Sequence, residues 1–256
     1  MNTLMINSRE DFQQWLKQYR DGQRQYAFRG QADSSWPLRT SLARHFVKNP
    51  IAADQWRRRE LKMYRMFRER LLVLFPGMYV DWEPLDILSL MQHHGTPTRQ
   101  LDFTYSPEVA AYFALSEVRS DSAIWVVDCA FLEKRRQDLD LPKYCGPTHN
   151  PKYTKLLTRH YEGGAIVKPD RPHGWLVAQR GCFLNTGSIS NPISEELINT
   201  KVILSEWIVN ECLMHLKGLG VDRHGVFPKL TKLARQVNSF SATGSADFPD
   251  TGDRPE

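Results

Sequence analysis

The chain has 256 residues, 41% apolar and 25% charged, which is ordinary globular material with enough apolar surface for a sizeable core. No stretch approaches the roughly twenty uninterrupted apolar residues that a membrane-spanning helix needs, and the opening MNTLMINSRED lacks the charged-then-apolar order of a signal peptide, so a cytoplasmic protein with no membrane partner is expected. The net charge of +5 is modest, but between Trp56 and Leu72 seven cations (Arg57, Arg58, Arg59, Lys62, Arg65, Arg68, Arg70) stand against only Glu60 and Glu69.

In chain order, Ser8 with Asp11 three residues on reads as an N-cap with an acidic third position. Phe12, Trp15 and Leu16 supply the apolar face of a helix over 8–21, and Gly22 ends it. Gln25 to Phe28 then reads as a strand delivering Arg29 at its edge or mouth, with Gly30 letting the chain turn at once. After a polar connection, Trp56, Met63, Phe67, Leu71 and Leu74 recur at steps of seven, four, four and three, a helical stripe opposite many of the arginines. Pro76-Gly77 closes that basic helical insertion, placed at about 50–75.

A second helix is expected from Trp82–Pro84 through Leu85, Leu88 and Met91 to His93-His94, where Gly95 and Pro97 forbid continuation. Thr98 to Thr104 has the length and composition of a short strand, and Pro107 suits the first position of the helix that follows. Ala123 to Asp128 is the clearest strand. Glu133 to Pro172 is polar, with weak periodicity, and is expected to be loops with small insertions. A strand at Lys201–Leu204, helices at Glu206–Lys217 and Lys229–Val237, and a disordered Ser-, Gly-, Asp- and Pro-rich tail over 239–256 complete the reading.

The four cysteines lie far apart without a CxxC, and Cys145-Gly-Pro-Thr-His149 is half of any zinc motif, so free or buried thiols and no metal are expected.

Phe28-Arg29-Gly30 followed by Gln92-His-His-Gly95, Pro97-Thr98-Arg99, Leu101-Asp102, Thr104, Pro107, Ala110 and Phe113-Ala114 resembles the FRG-domain family, named for its first motif. Gln179-Arg-Gly-Cys-Phe183 is similar to the family's QQG-x-F element, and Leu219-Gly-Val with Val226-Phe-Pro-Lys-Leu to its closing segment. The resemblance covers roughly Tyr26 to Val237 and implies a single FRG-type domain over 1–238. Gln100 stands where the family usually has Leu, and Phe103 where Trp is common.

The order of an Arg-bearing first strand, a Thr-bearing strand leading into an Ala-x-x-Phe-Ala helix, and a hydrophobic strand is similar to the NAD-binding core of ADP-ribosyltransferases. The similarity implies an α+β fold, an ADP-ribosyltransferase-like split mixed or antiparallel sheet core with flanking helices. It also implies NAD as substrate, and a toxin of the toxin–antitoxin or antiphage-defence kind, hence an antitoxin partner.

Cleaving a nicotinamide–ribose bond passes through an oxocarbenium-like state, so a site must hold the pyrophosphate, fix the nicotinamide and present the acceptor in line. Arg29 suits the phosphate or ribose by its forked donors. Asp102 suits stabilisation of positive charge or activation of the acceptor, and His93 or His94 acid–base work. Gly30, Gln92, Thr98, Arg99, Thr104 and Gln179 complete the candidate cofactor contacts.

Bland readings stand beside these: Arg29 with Asp102 as a buried ion pair, one histidine as a cap of a helix C-terminus, and Thr98-Arg99 as ties between turn and sheet. Many such transferases carry a Glu on a late strand, and the aligned element here, Gln179 to Phe183, has none. Either Asp102 or a histidine has its role, or Gln179 only orients substrate, or the chain is no transferase. Arg57, Arg58, Arg59, Lys62 and Arg65 are a solvated helix face or a nucleic-acid contact, RNA favoured. A non-enzymatic module that binds a nucleotide or a partner, and a metal-independent RNase toxin using His93 or His94, are the alternatives.

Overall fold

A computed structural model describes residues 1–20, 25–118, 120–138, 163–189 and 193–228. Among these, seven strands make one mixed sheet: β1 (Asn2–Ile6), β2 (Tyr26–Gln31), β3 (Gln100–Thr104), β4 (Ser122–Asp128), β5 (Gly164–Val167), β6 (Gly181–Thr186) and β7 (Thr200–Leu204). Their order across the sheet is β1-β7-β4-β2-β3-β6-β5. Only β1 with β7 is parallel; the other neighbours are antiparallel. The α+β expectation holds, with helices flanking the sheet. No helix among the described residues is long and apolar enough to cross a membrane.

Alternation along the strands sends successive side chains to opposite faces. On one face Phe28, Ile124, Val126, Val202 and Leu204 meet α1 (Arg9–Arg20), α5 (Pro107–Leu115) and a late helix, Val209–Gly218. On the other, Ala27, Leu101, Phe103, Trp125, Val127 and Leu184 are covered by Leu132 of α6 (Cys129–Asp138) and by Leu38, Leu197 and Ile198.

The central strand β2 pairs with β4 over its whole length, Tyr26 to Gln31, but meets β3 at a single pair, Phe28 with Thr104. The sheet therefore parts between β2 and β3 just where Arg29 and Asp102 stand.

Gly30 does not turn the chain. β2 continues through it to Gln31, and a Cβ there would lie 2.0 Å from the Ala110 carbonyl oxygen and 2.6 Å from the Ala114 nitrogen. The glycine lets the backbone of α5 rest directly on the strand, so Arg29 lies on a central strand and not at an edge.

The basic helix is α3 (Trp56–Leu74). The seven-residue step in its apolar stripe hides Glu60, which is buried on the inward face beside Trp56, Met63 and Phe67, whereas Leu74 is exposed. Trp56 and Met63 pack on α2 (Ser41–Lys48), and Phe67 and Leu71 on α4 (Pro84–His93), so the segment is built into the fold on both sides.

The stretch from Glu133 to Pro172 holds the end of α6 and strand β5 where loops were expected; the pairing of β5 with β6, a tertiary event, makes that strand. Cys145, the expected helix at Lys229–Val237 and the tail over 239–256 lie outside the described residues.

Candidate functional site

α4 begins with a reciprocal cap, Glu83 with Asp86, and Pro84 at its first position. It ends where Gly95 takes φ 80°, with Thr96 N–H donating to Met91 O and Gly95 N–H to Gln92 O, a Schellman closure. That reversal folds Thr98 back over the helix end, so the Thr98 hydroxyl donates to Gln92 Oε1 at 2.5 Å. Gln92 Nε2 then donates to Asp102 Oδ1 at 2.6 Å. Thr98 itself is fixed by Ser41 Oγ, which accepts from its N–H and donates to its carbonyl.

Across the seam, Arg29 NH1 donates to the Asp102 carbonyl at 2.8 Å and stands 3.8 Å from its carboxylate. Had the β2–β3 ladder continued two residues beyond Phe28–Thr104, Asp102 would have faced Gly30; the guanidinium takes that carbonyl instead. The Arg29 side chain is 17% exposed and its Nε has no partner, while the Asp102 side chain is 65% exposed. Burial lowers the Arg29 pKa against the opposing pull of Asp102. The result is a desolvated cation with spare donor capacity beside an open carboxylate.

Arg29, Gln92, Thr98 and Asp102 thus form one connected constellation. Thr104 borders it, its hydroxyl donating to the Gln179 carbonyl at 2.6 Å, while the Gln179 amide donates to Val226 O at 3.2 Å. The next residue, Arg180, holds φ 47°, left-handed for a non-glycine, fixed by its N–H on Val177 O and its carbonyl on Tyr105 N–H.

Arg99 does not join the site. Its guanidinium is buried away from the surface and grips both oxygens of Glu60, Nε to Oε1 at 2.7 Å and NH2 to Oε2, with NH1 near the carbonyls of Thr186 and Gly187. Its donors are spent on tying α3 to the sheet, which removes it from the cofactor contacts.

His93 and His94 belong to a separate aromatic cluster. His93 stacks on His173 with centroids 4.0 Å apart and meets Trp175 edge-on at 5.0 Å, and Trp175 in turn meets Phe227. His173 caps the short helix Gly174–Ala178 by accepting from Leu176 N–H through Nδ1. Burial and the neighbouring His93 and His94 push the His173 pKa down to about 4, and burial with His94 lowers that of His93. Sequence reading missed His173 and Trp175 because Pro172-His-Gly-Trp175 closes a polar stretch without periodicity, and a tertiary ring stack leaves no local signal.

Among the described cysteines, Cys129, Cys182 and Cys212 are free thiols. Burial raises Cys129 and Cys212 to about 12 and Cys182 further, so none is a ready thiolate near neutrality.

On α3, Arg57, Arg58, Arg59, Lys62 and Arg65 are exposed. Asp54, Arg57, Arg58, Leu61, Lys62 and Arg65 line a concavity of about 440 Å³, and Gln55, Arg58, Arg59 and Lys62 one of about 250 Å³. Three arginines in the first turn oppose the positive end of the helix dipole, with no acidic residue there to offset them. Local helix stability does not account for them.

Fold and site together define an α+β domain with a parted central sheet, a desolvated arginine in the seam and a cationic helix on the flank. The FRG-domain model matches residues 24–123, which span Arg29 and the whole Gln92–Asp102 segment. The match supports the resemblance carried by the two N-terminal motifs; the Gln179 element lies beyond it. No curated protein and no solved structure matches the chain.

Proposed function

We propose that the chain is an NAD-dependent ADP-ribosyltransferase that modifies nucleic acid, RNA before DNA, as a toxin restrained by a neutralising partner. The observation that carries this reading is Arg29: a guanidinium largely but not wholly withdrawn from water, its Nε unpartnered, in a seam between two strands beside an exposed Asp102. A cation largely withdrawn from water, with spare donors, suits an anionic ligand. The pyrophosphate of NAD supplies one, and Asp102, oriented by Gln92, then faces the ribose carbon where positive charge develops. Thr98 supports Gln92 from behind, and Thr104 and Gln179 border the site. The cationic face of α3 suits a phosphate backbone.

The test incubates the purified full chain with NAD and cellular RNA, following nicotinamide release and the mass of the RNA. Release with an added ADP-ribose, lost in Arg29→Ala and Asp102→Ala, is the expected result. Wild-type protein that releases no nicotinamide, or an Arg29→Ala variant as active as wild type, overturns the reading.

A second reading, a non-catalytic module that binds a nucleotide or RNA, is favoured by the two cation-lined concavities on α3. It predicts calorimetric binding of RNA with no product.

A further inference from the structure

Helix α2 brings a second cation to the seam. Its first turn is docked on the Thr98 segment: Ser41 Oγ donates to the Thr98 carbonyl at 3.1 Å and accepts from its N–H, and Leu42 N–H donates to the same carbonyl at 3.0 Å. Thr98 is the residue that leads through Gln92 to Asp102 and Arg29. Arg44 lies one turn on from Ser41, on the same side of the helix. Its guanidinium folds back toward the N-terminal end of α2, where NH1 donates to the Arg39 carbonyl at 2.6 Å. Leu38, which precedes Arg39, packs on the sheet face of Ala27 and Trp125, and by alternation Arg29 belongs to that face too. Burial lowers the Arg29 pKa, Asp102 opposes the shift, and the charge of Arg44 adds to it.

Local stability does not explain this placement. A cation held at a helix N-terminus opposes the dipole, and the first turn of α2 has no acidic residue. Among the described residues Arg44 makes no ion pair, and Asp102 pairs with Arg29 alone.

We propose that Arg29 and Arg44 together bind two linked phosphates, Arg29 in the seam holding the inner one and Arg44 on the rim the outer one. Each guanidinium commits one hydrogen bond to the protein, to a backbone carbonyl in both cases, and keeps donors for a forked phosphate contact. Arg44 is exposed and Arg29 largely withdrawn, so a ligand touching both runs from the surface into the seam. A carboxylate offers one charge to two cations; a diphosphate offers one to each. A nucleoside diphosphate and a dinucleotide share this chemistry. The inference rests on the reading of Arg29 as a phosphate holder, adds Arg44 to it, and requires binding without turnover.

Calorimetry of the full chain with inorganic pyrophosphate, ADP, ADP-ribose and AMP tests it, since none of these has a nicotinamide bond to cleave. The three diphosphates are expected to bind, and AMP at least about tenfold more weakly. Arg44→Ala, at an exposed position that spares the core, weakens each diphosphate about tenfold or more, and Arg44→Lys, which keeps the charge without the fork, lies between. ADP-ribose tighter than ADP marks a dinucleotide site and ADP as tight a nucleoside diphosphate site; both support the proposal. No diphosphate bound at about 1 mM, AMP as tight as ADP, or Arg44→Ala equal to wild type overturns it. So does diphosphate binding that Arg57→Ala with Arg58→Ala abolishes and Arg44→Ala does not. Arg44-dependent diphosphate binding without nicotinamide release from NAD overturns the enzymatic reading alone, and nicotinamide release indifferent to Arg44→Ala overturns this one alone.

Discussion

Glu60→Ala tests how α3 is held. The substitution leaves the Arg99 guanidinium buried, its two carboxylate bonds gone and only the longer contacts at 3.4–3.5 Å to Gly187 O and Thr186 O remaining. Stranding one partner of a buried pair costs about 3–5 kcal/mol. For a chain of this size that lowers the midpoint of thermal unfolding by about 6–20 °C. Replacing both residues, Glu60→Leu with Arg99→Met, removes the stranded charge and both desolvation costs, and stability returns to within about 1 kcal/mol of wild type. Urea unfolding followed by tryptophan fluorescence and far-ultraviolet dichroism measures the four corners of that cycle, wild type, Glu60→Leu, Arg99→Met and the double variant, with Glu60→Ala beside them. A Glu60→Ala loss below about 1 kcal/mol, or a double variant no better than the single ones, refutes a buried, mutually dependent pair.

Gly30→Ala drives a methyl group to within 2.0 Å of the Ala110 carbonyl oxygen and costs at least the ~1–3 kcal/mol of core overpacking, whereas Gly174→Ala, with open space around it, is neutral or stabilising in the same unfolding assay. Gln100 is buried with neither end of its amide bonded, so Gln100→Leu raises the urea midpoint, since an apolar group of similar shape removes an unmet desolvation cost. His173 binds its proton near 6.5 when unfolded and near 4 when folded, so the unfolded state holds more protons in between. The contribution is fully present above about pH 6.5 and is lost as pH falls toward 4; His173→Asn, which keeps a capping acceptor, flattens the stability–pH profile over that window.

Local punctuation made several elements legible. Pro84, Gly95 and Pro107 marked helix ends by φ and by missing N–H groups, and the run from Ala123 to Val127 announced a strand buried on both faces. The polar segment from Gln92 to Asp102 stood out for its density of donors and acceptors, and three of its residues, Gln92, Thr98 and Asp102, join Arg29 at the parted strands. What stayed hidden was tertiary. Strand β1 is mostly exposed along its side chains and is a strand because its backbone pairs in parallel with β7, two hundred residues away in sequence. Glu60 looked like a break in an apolar stripe because its partner lies thirty-nine residues on. Gly30 looked like a turn because the helix that needs the missing Cβ lies eighty residues further along the chain.

Thr98 and Arg99 show how these hidden contacts frame the site. The two side chains are consecutive, both buried, and they lead in opposite directions: Thr98 to Gln92 and through it to Asp102, Arg99 to Glu60 and through it to the cationic helix. The backbone between them has one setting that satisfies both, because a slip of one residue exchanges their bearings and strands a buried guanidinium. The Glu60–Arg99 pair therefore fixes the register in which the Thr98 hydroxyl reaches Gln92, and with it the orientation of Asp102 across from Arg29. Among the described residues, the cationic helix and the arginine site are thus joined through the adjoining Arg99 and Thr98.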